Sequence, residues 1–228
     1  MSGTLFIVAT PIGNLGDISA RAKAVLTEAS AIACEDTRTS AKLLQHLGIS
    51  QPLLAYHEHN EQQLAPLLAD RIANGENIAL ICDAGTPTLS DPGFRVVREC
   101  RRRHIPVTPV PGPCAFVAAL SASGLPTNAF RYTGFLPPKS AARLRFLEPI
   151  RDAEETVILY ESCHRIAKFA QEIADTLGAN RVVCLARELT KLHETFLVGP
   201  IAEQIPLLQG GNLRGEFVVL IAPYDFRI

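Results

Sequence analysis

The stretch Asn77–Gly93, NIALICDAGTPTLSDPG, decides how the chain is read. A short apolar run, Ile78–Cys82, stops abruptly at Asp83-Ala84-Gly85-Thr86-Pro87. An apolar run of that length bounded by turn formers predicts a buried parallel strand. The loop after it places a carboxylate, a glycine, a hydroxyl and a proline close together. A second tight element, Asp91-Pro92-Gly93, precedes an expected helix over Phe94–His104. That order puts the loop beyond the carboxyl end of a strand, where open α/β sheets bind their ligands. The same residues also suit an ordinary strand-to-helix connection.

Outward from this stretch, the first half of the chain alternates. Strands are expected at Leu5–Ala9, Ala31–Cys34 and near Val107–Pro109. Helices are expected at Ile18–Ala29, Arg38–Leu47 (stopped by Gly48) and Ala115–Ser123. Asn60 followed by Gln63 reads as a variant capping box opening a further helix. The alternation predicts an α/β fold with a parallel-rich sheet. Turn formers cluster at Gly124–Asn128, which places a boundary there. The expected division is an α/β domain over 1–123 and an α+β domain over 124–228. In the second half, strands are expected at Tyr132–Phe135, Thr156–Tyr160, Val182–Ala186, Thr195–Val198 and Phe217–Ile221. Helices are expected at Ser140–Ile150, His164–Leu177 and Ile201–Leu208. More strands with fewer helices between them predict a mixed sheet.

The bulk numbers exclude several classes. The chain has 228 residues, 47% hydrophobic and 20% charged, as in ordinary globular proteins. No apolar run approaches the roughly 20 residues of a membrane span, and the first residues lack a basic leader, so no membrane partner and a cytoplasmic location are expected. The 6 cysteines show no CxxC spacing and read as free thiols in a reducing compartment. Net charge is −1, so a nucleic-acid partner would have to meet a local basic patch or one built by two subunits. Neither GxGxxG nor GxxxxGK[ST] occurs, which argues against a dinucleotide fold and a P-loop NTPase.

Four loops follow expected strands of the first half: Thr10–Gly16, Glu35–Arg38, Asp83–Pro87 and Pro111–Pro113. In a parallel sheet all four share one edge. Glu35, Asp36 and Arg38 suit proton handling or substrate orientation, and equally a helix start with Asp36 or Thr37 as cap. The segment Tyr56–Asn60 carries His57, Glu58 and His59, but no third histidine cluster is near in sequence, so a polar rim is expected and no metal. In the second half, Tyr160–Arg165 and Ala186–Lys191 put charged groups at strand ends, which suits a cleft or plain surface ion pairs. Lys139, Arg143 and Arg145 follow Gly134–Pro138 and are candidates for phosphate binding, or a solvated helix face. Arg101–His104 reads as a helix C-terminus with favourable cations. Gly210–Glu216 reads as a turn, or as backbone shaped to an adenine or ribose.

Together, LFIVATPIGNLGDIS, EDTRTSAKLLQHLGI, HEHNE, DAGTPTLSDPG, VPGPCA, GFLPPK, YESCHR, ARELTK and RGEFVVLI, in this order, resemble the ribosomal small-subunit RNA methyltransferase I family. That family belongs to the tetrapyrrole (corrin/porphyrin) methylase superfamily. The resemblance implies a two-domain tetrapyrrole-methylase-like fold, with S-adenosylmethionine in the cleft between domains, and a homodimer. It implies methyl transfer to the ribose 2′-hydroxyl of a cytidine in small-subunit (16S) ribosomal RNA, with the 30S particle as partner. By the same resemblance the cofactor would meet Pro11, Gly13, Asp83, Ala84, Gly85, Thr86 and Pro87, then Ala115 and Phe116. Tyr160, Ala186, Glu188, Leu189, Gly215 and Glu216 would frame its adenosine. His57, Asn60, Lys139, Arg143, His164 and Arg165 would face the RNA. The catalytic set would be Glu35, Asp36, Arg38 and Lys191, with a carboxylate or a lysine of lowered pKa drawing the proton from the hydroxyl. Members of the family usually continue past the final strand with a small helical extension, where this sequence ends at Ile228; that bears on how RNA is gripped. Two other readings stay open: methylation of a tetrapyrrole or a modified protein residue on the same fold, and a non-catalytic protein that binds S-adenosylmethionine or the ribosome.

Overall fold

A computed structural model describes residues 2–209 and 213–228. The start of the Gly210–Glu216 turn lies outside the described residues. The chain divides into two compact units, Met1–Cys114 and Ala115–Ile228. The division falls ahead of the Gly124–Asn128 turn where the sequence suggested it. The reason is the helix Ala115–Ala122, which packs on the last strand of the second unit.

The first unit is a parallel sheet of five strands covered on both faces. Its strands are β1 (Leu5–Val8), β2 (Ala31–Cys34), β3 (Leu53–Ala55), β4 (Ile78–Leu80) and β5 (Val107–Val110). They lie in the order β3-β2-β4-β1-β5, and every pairing is parallel. Helices α1 (Ala20–Glu28) and α2 (Thr37–Leu47) bury Leu26, Leu44 and Leu47 against one face, with Val8, Ile32 and Ile81. Helices α3 (Glu61–Ala73) and α4 (Phe94–Arg102) bury Leu68, Ile72, Val96 and Cys100 against the other, with Leu5 and Leu80. A sheet covered on both faces needs strands that are apolar throughout, and Ala31–Cys34 is buried at every position.

Local chemistry explains the element ends. The Ser19 hydroxyl accepts from Ala22 N and starts α1. Gly48 ends α2 at φ 71, the left-handed turn the sequence predicts. Three expectations need correction. Strand β3 was not foreseen; it is three residues long and pairs with β2 alone. Asn60 makes no side-chain cap: its Oδ1 accepts from His57 N at 2.9 Å and its Nδ2 donates to Ala55 O at 3.0 Å, so it ties the turn before α3 instead. Helix α4 stops at Arg102, short of His104, which takes φ 57.

The second unit holds the mixed sheet. Helix α5 (Ala115–Ala122) leads to β6 (Phe130–Phe135), α6 (Ser140–Leu147), β7 (Thr156–Ser162) and α7 (Ile166–Leu177). Then follow β8 (Val182–Arg187), β9 (Thr195–Pro200), α8 (Ile201–Gln204) and β10 (Glu216–Ile221). The order is β6-β7-β10-β8-β9; β6 and β7 run parallel and the other pairs antiparallel. One core joins Leu159, Leu185 and Val219 of the sheet to Phe169 and Ile173 of α7 and Leu147 of α6. Among the described residues no helix is long and apolar enough to cross a membrane.

Candidate active site

In the first unit the parallel sheet brings the predicted loops to its carboxyl edge, and hydrogen bonds stitch them together. Thr10 and Gly85 form an isolated antiparallel bridge, with Thr10 N donating to Gly85 O at 2.8 Å and Gly85 N to Thr10 O at 3.1 Å. The fully buried Thr10 hydroxyl donates to Cys82 O at 3.2 Å. The Thr86 hydroxyl donates to Pro113 O at 3.0 Å, tying the loop after β4 to the loop after β5. Gly85 sits at φ 86, a conformation that glycine adopts without strain. Pro11 is buried behind this seam, whereas Gly13, Asp83 and Ala84 are exposed on it.

The loop after β2 joins the same edge. Asp36 N donates to Asp83 Oδ1 at 3.2 Å. The Asp36 carboxylate caps α2 by accepting from Arg38 N at 2.8 Å, and it pairs with the Arg38 guanidinium at 2.6 Å. The hydrogen bond from the Arg38 side chain holds its pKa down to about 2. Glu35 is the opposite case. Burial, and then the charge of Asp83, push its pKa up from the ordinary glutamate value. A carboxylate clamped by a guanidinium is a weak base, so of the two carboxylates Glu35 holds a proton the more readily. His57, which lies beside Asn60, and the exposed Glu58 are also close enough to act on the charge of Glu35.

Asp91 was read in the sequence only as part of a turn. It is half-buried beside Cys82 and feels the charges of Glu35 and Asp83. Burial foremost, then Glu35, raise its pKa to about 6. The loop that delivers it carries Thr88 at φ 76 and Ser90 at φ 67, left-handed conformations rare for such residues. The one sequence signal for Asp91 was its place in the second tight element beyond a strand end.

In the second unit, Glu188 at the end of β8 gathers a small charged cluster. Lys191 Nζ lies 2.8 Å from Glu188 Oε1 and 3.5 Å from Glu216 Oε2. Burial would lower the lysine pKa, but the hydrogen bond to Glu188 and the two carboxylate charges outweigh it, and the pKa is raised. The expectation of a lysine with lowered pKa is therefore corrected: Lys191 is a firmly protonated cation. Ala186 is buried on β8 and Leu189 is buried just beyond it. Tyr160 at the end of β7 meets Tyr132 and Phe135 edge-on, at 5.3 Å and 5.4 Å between centroids, and Phe116 stacks on Tyr132 at 4.3 Å. Ala115 opens the helix that carries Phe116.

The expected RNA-facing residues separate. Lys139 and His164 are exposed. Arg165 pairs with the fully buried Glu161 carboxylate at 2.6 Å, and 27% of its side chain remains accessible. Arg143 is a correction. Its side chain is only 2% accessible and grips Glu172 through Nε at 2.7 Å and Nη2 at 2.6 Å, with Nη1 on Pro138 O. Every arm of the fork is taken inside the unit, so Arg143 braces α6 against α7 and presents nothing to a phosphate.

A parallel sheet with ligand-type loops at its carboxyl edge, followed by a mixed-sheet unit with charged strand ends, defines an α/β protein built as the tetrapyrrole methylases are. The chain belongs to that family: the model for Tetrapyrrole (Corrin/Porphyrin) Methylases matches residues 4–204. Among curated proteins it is 51% identical to the Ribosomal RNA small subunit methyltransferase I of Vibrio cholerae, over 96% of this chain and 77% of that protein. It is 49% identical to the protein of that name from Escherichia coli O157:H7, over 96% and 77%, and 44% identical to the one from Halalkalibacterium halodurans, over 96% and 75%. Among solved structures, uroporphyrin-III-C-methyltransferase from Thermus thermophilus superposes with a TM-score of 0.62 at 18% identity, covering 97% of this chain and 95% of that one. That likeness speaks for the fold alone.

Proposed function

We propose that this chain transfers the methyl group of S-adenosylmethionine to the ribose 2′-hydroxyl of a cytidine in small-subunit ribosomal RNA. The observation that carries the reading is 49% to 51% identity, over 96% of the chain, to proteins named as small-subunit ribosomal RNA methyltransferases.

The residues present fit such a donor. A sulfonium cation is favoured beside carboxylates, and Glu35, Asp83 and Asp91 share the carboxyl edge of the first unit. Gly85 adds backbone there with no side chain in the way. Asp83, Ala84, Gly85, Thr86 and Pro87, with Pro11 and Gly13, are assigned to the methionine part. Tyr160, Ala186, Glu188, Leu189, Gly215 and Glu216, with Ala115 and Phe116, are assigned to the adenosine. When bound, S-adenosylmethionine supplies an electrophilic methyl group, and its sulfur loses its charge as the methyl leaves.

The chain's own part is positioning and proton removal. Well-oriented reactants gain several kcal/mol, about 7–11 at the upper end. Glu35 takes the proton from the ribose hydroxyl, which is a poor nucleophile until that proton is drawn off. Arg38, whose side chain is 87% accessible, and Arg165 meet flanking phosphates. His57, Asn60, Lys139 and His164 complete the RNA side. The protein works as a homodimer in the cytoplasm, where 30S particles are assembled.

The test is methyl transfer from labelled donor to purified 30S subunits, followed by mass mapping of the modified nucleotide. One 2′-O-methylcytidine is expected. Transfer to a tetrapyrrole or a protein acceptor with none to 30S would overturn the reading. So would donor binding without turnover on any acceptor.

A further inference from the structure

Helix α4 begins with an aromatic residue held out in solvent. Phe94 is 62% exposed. Its mount is rigid. Gly93 N donates to Glu61 Oε2 at 3.3 Å, and Arg95 Nε lies 3.0 Å from Glu61 Oε1, so one carboxylate clamps both sides of Phe94. Gly93 itself sits tight on the sheet: a Cβ there would lie 2.6 Å from Leu80 Cδ2. The ring is therefore placed outward by the fold and is not a frayed end.

Single exposed apolar side chains are common and carry little by themselves. What sets Phe94 apart is Arg98, one turn along, whose guanidinium carbon lies 5.5 Å from the ring centroid. Among the described residues Arg98 has no ion-pair partner. A guanidinium over a ring keeps its in-plane donors free for an anion. The pair follows Asp91 by a few residues, at the carboxyl edge that holds Glu35 and Asp83. With a net charge of −1 the chain has no overall field to draw RNA in, so local contacts must do it.

We propose that Phe94 and Arg98 form an RNA contact beside the reactive edge, the ring stacking an unpaired base and the guanidinium holding a neighbouring phosphate. This rests on the reading of RNA as the acceptor. Single-stranded bases stack on aromatic and arginine planes whatever their identity, so the contact supplies grip and register but no base selectivity.

The test measures the affinity of the intact protein for 30S subunits, with methyl transfer read in the same preparations. Phe94→Ala weakens binding about tenfold, and Phe94→Tyr restores it. Arg98→Ala weakens binding and lowers the salt slope of log affinity by about one. Calorimetry with S-adenosylmethionine and the melting temperature stay at wild-type values, since both side chains are exposed. Equal 30S affinity in wild type and Phe94→Ala overturns the contact while leaving the enzyme reading intact. Weakened affinity in the variants with no methyl transfer by the wild type overturns the enzyme reading alone. A wild-type protein that does not bind 30S removes both. A changed oligomeric state of Phe94→Ala in light scattering assigns the ring to a contact between copies of the chain and overturns the proposal.

Discussion

Gly215 stands against the Glu188 carboxylate: a Cβ on Gly215 would lie 2.2 Å from Glu188 Oε1. The glycine also takes φ 97. Two constraints, steric and conformational, thus leave room for a carboxylate that accepts from Glu216 N at 3.2 Å and pairs with Lys191. Gly215→Ala must either shift β10 or expel Glu188. A loss of about 1–3 kcal/mol in unfolding free energy is expected, measured by urea denaturation. If Glu188 frames the adenosine, calorimetry also shows donor affinity falling roughly tenfold. Unchanged stability and affinity would mean that the cluster matters to neither.

The Arg143–Glu172 pair separates a structural role from a substrate role. Both side chains are buried, and the Ser140 hydroxyl adds a hydrogen bond to Glu172 at 2.6 Å. Arg143→Ala leaves a buried carboxylate without its partner, at a cost of about 3–5 kcal/mol. Replacing both, as Arg143→Met with Glu172→Leu, recovers most of that, because the uncompensated charge is gone. Denaturation midpoints of the single and double variants check this. A double variant as unstable as the single one, or a single variant that loses 30S affinity with no loss of stability, would contradict the bracing role.

These cases mark where sequence patterns speak and where they fall silent. Ala31–Cys34 was read to the residue because a polar boundary flanks an apolar run on each side. Strand β3 escaped because Leu53-Leu54-Ala55 is short, has no β-branched residue and gains its identity from pairing with β2. Asn60 sits before a helix as a cap would, but its ψ of −11 turns the side chain to other work. Arg143 looked free since its partner is 29 residues away on another helix. Asp91 looked like a turn residue because the groups that perturb it, Cys82 and Glu35, arrive from β4 and β2. Local chemistry was legible; burial and charge brought together by the sheet were not.

Asp91 gives a pH-dependent stability of defined sign. Its pKa rises from an ordinary 3.8 to about 6 in the folded protein. Between those values the folded state keeps a proton that the unfolded state releases, so this group makes stability fall as pH rises through the window. Asp91→Asn removes the penalty. At pH 8 the variant is expected to be more stable by about 1 kcal/mol, a figure discounted for partial solvent access. At pH 3, with the carboxyl protonated in both states, wild type and variant coincide. Thermal denaturation at the two pH values reads the difference; a variant less stable at pH 8 would show that Asp91 is held there by favourable partners instead.

Glu35 and Asp83 together shape the pH–rate profile. Glu35→Gln keeps the size of the side chain and removes the base, so methyl transfer to 30S subunits should drop about 100-fold or more. Donor affinity by calorimetry should fall by far less than the rate, since Asp83 and Asp91 would still face the sulfonium. In the wild type the acidic limb of the profile lies above the usual glutamate range, since burial and Asp83 raise the Glu35 pKa. The charge on Asp83 opposes ionisation of Glu35. Asp83→Asn removes that repulsion, so the limb moves to lower pH. Arg38→Ala frees Asp36 from its clamp and should raise the KM for 30S through loss of a phosphate contact, with the limb left in place. Full activity in Glu35→Gln, or a limb in Asp83→Asn that moves to higher pH, would take the proton away from Glu35 and reopen the choice of base.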